Sequence, residues 1–436
     1  MKTHLRGLAN KAAEQKTYRF QGLYTLLNEE NLRWSFLQLR KDAASGVDRI
    51  SYQDYERNLD ANLSDLVKRL KEKRYRAKLV RRKNIEKPNG KLRPLGIPAL
   101  EDKILQVAVA NILSAIYGQD FLDCSYGYRQ RIGPHDALED LRESLQMGKY
   151  HWVVEADIRG FFDNMDHDWL VKMLEERVHD RALIKLIKKW LKAGVLEEDG
   201  TVIHPATGSP QGGIISPVLS NIYLHYALDL WFEKKVAKSC QGQAKIIRFA
   251  DDFVCLFESQ REAKEFETGL KQRLGKFGLE VAEEKTQTLK FSWCGGKENG
   301  KFDFLGIEYR RGRNRRGISV VQRRTSRKKL QSSIRNLGQW LKSNRHCKTR
   351  ELLRHLKKKL DGYVNYYGIR GNAASLSSYY NELCKRLHKW LNRRSQRRSY
   401  KWSGLNKLLA KFGIKSPQVR KPGDTQPELG LNYVEL

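Results

Sequence analysis

The order of predicted elements indicates an α+β fold. Between about residues 85 and 309, stretches with strand-like alternation and stretches with helical periodicity follow one another without a regular β-α-β repeat. Beyond residue 310 the apolar positions recur at helical spacing, near 326–343, 350–366 and 375–393, and each of these helices has a Lys/Arg-rich opposite face. The length of 436 residues is compatible with two or three domains.

The elements nearer the N-terminus are mainly helical. Residues 5–40 carry apolar positions at the spacing of two helices, and leucines on one face predict a single amphipathic helix from Tyr52 to Lys73. Further helices are predicted over Asp102–Ile116 and Pro134–Met147. A last short helix is predicted near 403–412.

The positive charge is concentrated in one segment. Lys and Arg outnumber Asp and Glu by 83 to 50, a formal net charge of +33. Residues 310–421 contain 33 basic and 3 acidic residues, whereas residues 1–309 carry a net charge of only +6. A solvated basic tail would also be this basic, but regular apolar positions indicate that the segment folds. A folded basic surface indicates a polyanionic partner.

The spacing of the cysteines and the length of the apolar runs predict the cellular location of the protein. The six cysteines are scattered without a C-x-x-C pair, so neither a disulfide framework nor a zinc site is expected. The N-terminus lacks the apolar core of a signal peptide, and no apolar run approaches the roughly 18 residues of a membrane span. These features predict a reducing, cytoplasmic location and no membrane association.

Paired carboxylates lie in the stretch 246–257. Two β-prone apolar runs flank Asp251 and Asp252, which predicts a tight hairpin with both at its tip. Asp is also an ordinary turn residue, but Asp157 ends a second apolar strand. Carboxylates on two strands can share two Mg²⁺ ions about 3.5–4 Å apart, as in-line phosphoryl transfer requires. The pattern therefore predicts a template-copying polymerase.

Two loops are candidate ligand contacts. The Pro-Asn-Gly turn within 85–98 would bring Lys87 and Arg93 together, where two cations could hold a triphosphate. An exposed basic hairpin explains the same residues equally well. The Gly/Pro-rich loop at 208–221 lets main chain approach a ligand closely, although a plain helix N-terminus is the simpler interpretation.

An ordered set of motifs resembles that of reverse transcriptases: Val-Val-Glu-Ala-Asp157, Gly208-Ser-Pro-Gln-Gly-Gly, Phe-Ala-Asp251-Asp252 and Phe304-Leu-Gly306. Further motifs resemble those of bacterial group II intron reverse transcriptase/maturases: Ala-Ser-Gly46-Val-Asp48, Ser-Tyr-Gly127-Tyr-Arg129 and Leu360-Asp-Gly362-Tyr-Val-Asn365-Tyr-Tyr367-Gly. The resemblance covers roughly residues 20–420.

The resemblance implies a right-hand polymerase fold followed by an α-helical maturase thumb. Residues 1–84 would form an N-terminal extension and the start of the fingers, and 85–309 the reverse transcriptase fingers and palm. Residues 310–400 would form the maturase (X) thumb, and 401–436 a short basic region that binds DNA, with a tail.

The resemblance also implies roles for single residues. Asp157, Asp251 and Asp252 would be catalytic and would bind two Mg²⁺ ions, with the main chain of Ile158 as a further candidate ligand. The implied nucleotide-binding residues are Lys87 and Arg93 at the triphosphate, Gln211 beside the templating pair, and Lys285 near the leaving pyrophosphate. Phe304, Leu305 and Gly306 would hold the primer and template.

Phe162 predicts the choice of sugar. It follows Asp157 by five residues, where reverse transcriptases place an aromatic ring beneath the sugar of the incoming nucleotide. A bulky apolar ring leaves neither room nor a hydrogen-bond partner for a 2′-hydroxyl, so deoxynucleotides are expected. One of Phe161 and Phe162 would then be an ordinary core residue.

The chain departs from the family pattern in two places. Phe249 stands where Tyr is usual, which would keep the carboxylates but alter contact with primer or nucleotide. No paired Cys and His follow the basic segment, so the HNH endonuclease domain of many relatives is not expected, and a mobile form would take its primer from another source. Gln211-Gly212-x-x-x-Ser216-Pro217 is intact, which disfavours diversity-generating relatives.

These observations predict an RNA-directed DNA polymerase that binds its group II intron RNA, assists splicing and copies the intron into DNA. The expected partners are intron RNA, an RNA template with a DNA primer, target DNA and dNTPs. Two alternatives remain open, namely a domesticated reverse transcriptase in repair or phage defence and a splicing-only RNA-binding maturase.

Overall fold

A computed structural model describes residues 2–86, 92–209, 212–293, 300–314, 316–394 and 400–419. These residues form two compact units. Among the described residues, the first unit comprises 2–137 and 152–288, and the second comprises 138–151 and 289–419.

The helices are α1 (Lys2–Glu14), α2 (Glu29–Leu37), α3 (Tyr52–Glu56), α4 (Leu59–Lys71), α5 (Leu100–Tyr117), α6 (Pro134–Met147), α7 (Phe161–Asn164), α8 (His167–Glu175), α9 (Arg181–Leu191), α10 (Ser216–Leu224), α11 (Ala237–Ser239), α12 (Gln260–Gly275), α13 (Arg327–Ser343), α14 (Thr349–Tyr367), α15 (Ala373–Leu391) and α16 (Trp402–Lys411). Two 3₁₀ turns cover Leu23–Leu26 and Glu283–Lys285, and two π-helical turns cover His225–Asp229 and Phe232–Val236.

The strands are β1 (Val80–Glu86), β2 (Leu92–Ile97), β3 (Trp152–Ala156), β4 (Val195–Leu196), β5 (Val202–Ile203), β6 (Ala244–Phe249), β7 (Asp252–Phe257), β8 (Gln287–Lys290), β9 (Phe302–Phe304), β10 (Ile307–Arg313) and β11 (Ser319–Thr325). They form three sheets with the orders β2-β1-β4-β5, β6-β7-β3-β8 and β11-β10-β9. Mixed strands and helices followed by a helical C-terminal region confirm the predicted α+β class.

The core of the first unit surrounds α5, which is apolar on nearly every side and buried along almost its whole length. Its buried polar side chains bind neighbouring loops. Asp102 accepts hydrogen bonds from the Tyr75 hydroxyl and the Lys78 N–H, and Gln106 accepts one from the Ile214 N–H at 3.0 Å. Because these groups are paired they can be buried, and α5 thereby fixes the loop before β1 and the loop before α10.

The prediction of one helix from Tyr52 to Lys73 is wrong. The segment contains two helices, α3 and α4, and the chain leaves helical geometry at Asn58, where φ is −125° and ψ is 39°. Asn competes with helix by hydrogen-bonding locally, so it favours helix ends. The amphipathic pattern identified the buried leucines of α4 but not the interruption before it.

In the second unit, β9 and β10 form a two-residue hairpin at Leu305 and Gly306, since Phe304 pairs with Ile307. Both turn residues have positive φ, 51° and 77°, as a type I′ turn requires. The helices α13, α14, α15 and α16 pack through leucines and tyrosines, and most of their Lys and Arg side chains are exposed. This confirms the predicted basic, amphipathic helices.

No helix among the described residues is long and apolar enough to cross a membrane.

Candidate active site at the ends of β3 and β7

The strand register brings the three predicted carboxylates to one end of a sheet. The antiparallel pairing of β3 with β7 places Ala156 opposite Phe253, so Asp157 and Asp252 are the next residues at adjoining strand ends. Asp251 lies in the turn between β6 and β7, directly before Asp252. The sheet therefore clusters residues that are almost one hundred positions apart in the chain.

The pKa of Asp251 reflects its burial and its closeness to other charged groups. Burial raises the pKa of the Asp251 carboxyl above its ordinary value, and the negative charge of Asp157 raises it further. The positive charges of Arg93 and Lys285 act in the opposite direction. A cation added between the carboxylates would relieve their repulsion.

Lys285 is bound directly to the site, as its Nζ donates a hydrogen bond to Asp157 Oδ2. This hydrogen bond raises the pKa of the Lys285 ammonium. The segment that carries Lys285 runs antiparallel to the chain after β3, through hydrogen bonds from the Ala282 N–H to the Asp157 carbonyl and from the Arg159 N–H to the Glu280 carbonyl, both 2.8 Å. Main-chain pairing therefore sets the position of this cation.

Ile158 lies within that pairing, opposite Val281, with its side chain buried. Its role as a main-chain ligand stays a prediction.

Arg93 is exposed on β2, where it pairs with Ile85. Its positive charge acts to lower the pKa of both the Asp251 carboxyl and the Tyr128 hydroxyl. Lys87 and Gln211, predicted to meet the nucleotide, lie outside the described residues.

Phe161 and Phe162 occupy different environments on α7. Phe161 is buried in the core, whereas Phe162 is half-buried, with its ring centroid 5.4 Å from that of Phe161 in an edge-on arrangement. The Phe162 carbonyl accepts a hydrogen bond of 2.7 Å from the Ser209 N–H. The main chain of Phe162, whose ring is predicted to contact the sugar, is therefore joined to the Gly/Pro-rich loop.

Two glycines allow that loop to pack closely. Gly208 has φ of +88°, and a Cβ there would lie 2.6 Å from the Asp163 carbonyl oxygen. Gly212 has φ of +103°, and a Cβ there would lie 2.8 Å from the Gly96 carbonyl oxygen of β2. Since only glycine accepts both the conformation and the contact, the motif shapes a close approach of main chain to main chain.

Tyr128 is a site residue to which no role was assigned from the sequence. Its φ is 55°, its ring lies 6.5 Å from that of Phe249, and burial together with the charge of Asp251 raises the pKa of its hydroxyl. From the sequence, the loop Ser125-Tyr126-Gly127-Tyr128-Arg129 was identified only as a motif that resembles those of group II intron proteins.

Sequence reasoning also missed Arg248, which precedes the Asp251 turn by three residues and is fully buried against Asp229. A visible signal existed, because an arginine inside the apolar run Ile246-Ile247-Arg248-Phe249 must find a buried partner. The identity of that partner could not be read from the pattern.

The predicted primer-contacting residues belong to the second unit. The Tyr366 hydroxyl donates a hydrogen bond of 3.0 Å to the Leu305 carbonyl, and the Ser326 N–H donates one of 2.9 Å to the Gly306 carbonyl. These contacts join two motifs that the sequence analysis identified separately, the hairpin and the tyrosine-rich part of α14.

The donor set fits a hard divalent ion. Within the described ranges, no three His, Cys, Asp or Glu side chains converge closely enough to hold an ion by themselves. Mg²⁺ in nucleotide-dependent enzymes is usually held by one or two carboxylates together with substrate phosphates. Asp157 and Asp251 meet that requirement, since both are oxygen donors and the negative charge of Asp157 acts on the buried Asp251 carboxyl.

Carboxylates at adjoining strand ends, with Lys285 bound to one of them, are an arrangement that suits metal-dependent nucleotidyl transfer. Residues 85–309 match the reverse transcriptase (RNA-dependent DNA polymerase) family, slightly more than half of the chain. The chain therefore belongs to the reverse transcriptase family. Residues 327–408 match the group II intron maturase-specific domain, and enzymes of the reverse transcriptase class use divalent metal ions. The predicted family is confirmed.

Individual proteins are also similar in sequence to this chain. The group II intron-encoded protein LtrA of Lactococcus lactis subsp. cremoris is 28% identical over 403 residues, covering 73% of this chain and 65% of that protein. Protein YkfC of Escherichia coli is 32% identical over 290 residues, covering 59% of this chain and 75% of that protein. The chain thus spans somewhat less than two thirds of the length of LtrA.

A third relative comes from yeast. The putative COX1/OXI3 intron 1 protein of Saccharomyces cerevisiae is 25% identical over 373 residues, covering 69% of this chain and 44% of that protein. Two of these three relatives are named for introns.

Proposed function

We propose that this chain is an RNA-directed DNA polymerase that binds a group II intron RNA, assists its splicing and copies it into DNA. One observation carries the enzymatic part: Asp157 and Asp252 end adjoining strands, Asp251 lies beside them, and Lys285 and Arg93 place positive charge at the same point. The match to the maturase-specific domain supports the RNA-binding part.

The carboxylates would act as metal ligands. Asp157 and Asp251, with Asp252 nearby, would hold two Mg²⁺ ions, and the chemistry these ions would supply is Lewis-acid activation of the primer 3′-hydroxyl and charge stabilisation for the departing pyrophosphate. The raised pKa of Asp251 supports this role, because a carboxylate that is buried and lies near a second carboxylate gains most from a bound cation.

The cations would bind the nucleotide. Arg93 would contact the triphosphate together with Lys87, and Lys285 would neutralise charge on the leaving pyrophosphate when its hydrogen bond to Asp157 is exchanged for one to phosphate. Gln211 would line the nucleotide site from the loop that Gly208 and Gly212 hold in place.

Phe162 would select the sugar. Its main chain is held by the hydrogen bond from Ser209 and its half-buried ring packs edge-on against Phe161, so a bulky apolar ring would stand beneath the sugar and exclude a 2′-hydroxyl. Phe162→Ala should therefore increase ribonucleotide incorporation relative to deoxynucleotide incorporation, whereas Phe161→Leu, a change in the core, should leave that ratio unchanged.

The right-hand polymerase architecture belongs to the same proposal. Residues 1–84 would begin the fingers, 85–309 would complete fingers and palm, 310–400 would form the thumb, and 401–436 would bind target DNA. The Leu305-Gly306 hairpin, held by Tyr366, would support the primer strand. Exposed cations of α13, α14 and α15 would contact RNA phosphates.

Primer extension on an RNA template tests the activity. The intact protein should extend a DNA primer with Mg²⁺ and dNTPs but poorly with ribonucleotides, and Asp251→Asn/Asp252→Asn should abolish extension. Asp168→Asn removes an exposed carboxylate in the first turn of α8 and serves as the matched control, with activity retained.

The same experiment separates the alternatives. No extension by the intact protein, together with tight intron RNA binding that the double substitution leaves unchanged, would favour a splicing-only maturase. Extension without any preference for intron RNA over unrelated structured RNA would favour a domesticated polymerase.

A further inference from the structure

The side chain of Arg248 is completely buried, yet all of its hydrogen-bonding capacity is used. An arginine carries five N–H donors. Nε and Nη2 donate to the two oxygens of Asp229 at 2.7 and 2.6 Å, and Nη2 also donates to the Ser125 hydroxyl at 2.7 Å. Nη1 donates to Asn221 Oδ1 at 3.0 Å and to the Ala250 carbonyl at 2.9 Å.

The bond to Ala250 reaches the candidate active site. Ala250 is the residue before Asp251, and its φ of 57° lies in the left-handed region, which is unfavourable for a residue other than glycine. The guanidinium holds the carbonyl of this strained residue, so it sets the orientation of the peptide that leads into Asp251.

A second path joins the same cluster to the turn. Asn221, which accepts from Arg248, donates through Nδ2 to the Gly127 carbonyl at 2.6 Å. Gly127 packs so closely on the Ala250 main chain that a Cβ there would collide with the Ala250 nitrogen. The turn is therefore held on one side by the guanidinium and on the other by the Gly127 loop.

A π-helical turn positions the partners of Arg248. Asn221 and Asp229 are eight residues apart, and a regular α-helix would offset them by about 80° around its axis. The Leu230 N–H instead bonds to the His225 carbonyl, five residues back, so the helix widens and turns less per residue. The wider turn brings both side chains onto the guanidinium.

We propose that Arg248, held by Asp229, is a positioning residue for the turn that carries the metal-binding carboxylates Asp251 and Asp252. The proposal rests on the proposed polymerase function for the identity of the metal site. A buried ion pair often contributes little net stability, because desolvation offsets the attraction. Here its five directed hydrogen bonds serve to fix geometry.

The proposed positioning role requires the planar guanidinium group of arginine, whose N–H donors point in fixed directions. Lysine keeps the positive charge but offers three donors as a point charge, so it cannot bind both oxygens of Asp229 and the Ala250 carbonyl in one plane. Arg248→Lys should therefore loosen the turn without reversing any charge. Partners that orient metal ligands typically affect metal affinity or activity by about 10–100-fold.

Arg177 offers a matched control in the same unit. It is also buried, lies 3.3 Å from a carboxylate oxygen of Asp120, and binds main-chain carbonyls at the end of α1, including that of Ala12 at 3.1 Å. Arg177→Lys removes a comparable set of buried contacts but does not touch the Asp251 turn.

The experiment compares Arg248→Lys with Arg177→Lys in the full-length chain. Mn²⁺ affinity is measured by electron paramagnetic resonance, Mg²⁺ dependence, kcat and KM by primer extension, and stability by melting temperature. We expect Arg248→Lys to weaken Mn²⁺ binding and lower kcat by about 10-fold or more, with KM changed less. Arg177→Lys should lower the melting temperature but leave Mn²⁺ affinity and kcat per folded molecule unchanged.

Equal Mn²⁺ affinities for the intact protein and Arg248→Lys would overturn the proposal. If Arg248→Lys does not fold, Asn221→Ala keeps the ion pair and removes the link to Gly127, and it should shift Mn²⁺ affinity in the same direction by a smaller factor; no shift would again overturn it. If the intact protein shows no polymerase activity, the Mn²⁺ measurement still decides the positioning role, so the two failures remain distinct.

Discussion

The end of the first unit that carries the candidate active site and the helical region of the second unit differ in where they place charged side chains. In the first unit, Arg248 and Asp229 are both completely buried and bound to each other. In the helical region, the buried polar side chains among residues 327–394 and 400–419 are the neutral Asn372 and Ser375, and leucines fill the core.

The difference reflects what each region has to do. Burying a charge is costly unless every donor is satisfied, but a satisfied network specifies one geometry. A metal site needs that geometry. A surface that binds a polyanion needs charged side chains in water, so its core can do without buried charge.

The largest expected effect tests whether the two regions act separately. Asp157→Asn should reduce nucleotide incorporation at least about 1,000-fold, equivalent to about 4 kcal/mol of transition-state stabilisation, because a metal ligand is lost. Filter binding should show intron RNA affinity within about twofold of the intact protein. A parallel loss of RNA binding would contradict the separation of roles.

A substitution in the helical core tests the other region. Leu383 on α15 is completely buried, so Leu383→Ala should lower the free energy of unfolding by about 2–5 kcal/mol. Urea denaturation measures the change. Leu37→Ala, at a leucine that is 64% exposed, should change it by less than about 0.5 kcal/mol; a similar loss for both variants would show that Leu383 is not a core residue.

A pH series tests the cost of charge near Arg248. Burial lowers the pKa of His225 to about 4 from 6.5; the charge of Asp229 opposes this shift, and those of Arg248, Lys234 and Arg129 add to it. Between pH 6.5 and pH 4 the unfolded chain is protonated at His225 more readily than the folded chain, so protonation favours unfolding. The contribution of neutral His225 to the free energy of unfolding is therefore complete above pH 6.5 and is lost as the pH falls toward 4.

Denaturation of the intact protein and His225→Gln at several pH values measures this loss. Their difference in unfolding free energy should shrink by about 3 kcal/mol between pH 7 and pH 4. Parallel pH curves would show that His225 can be protonated in the folded state at little cost.

The smallest expected effect concerns the basic helices. Arg354 and Lys358 are exposed on α14, so Arg354→Gln and Lys358→Gln should each reduce the slope of log affinity for RNA against log salt by about 1. Glu351→Gln, an exposed change on the same helix, should not reduce it. Slopes unchanged by both cationic substitutions would place the phosphate contacts on another face.

Local patterns predicted much of the fold. Runs of β-prone apolar residues identified the strands that end just before Asp157 and begin at Asp252, and helical periodicity identified α13, α14 and α15 within a few residues. Such patterns succeed because burial of one face of an element is recorded in neighbouring residues. The break at Asn58 was missed because apolar periodicity continues across it.

The sequence by itself determined the class of chemistry and the location of the charge, since carboxylates after apolar strands and a basic C-terminal segment are visible as residue order. Only the tertiary structure decided what holds the carboxylates in place. The contact of Arg248 with Ser125 spans 123 residues, and the contact with Asp229 depends on a π-helical turn. Partners of this kind are chosen by packing between distant segments, which no local pattern records.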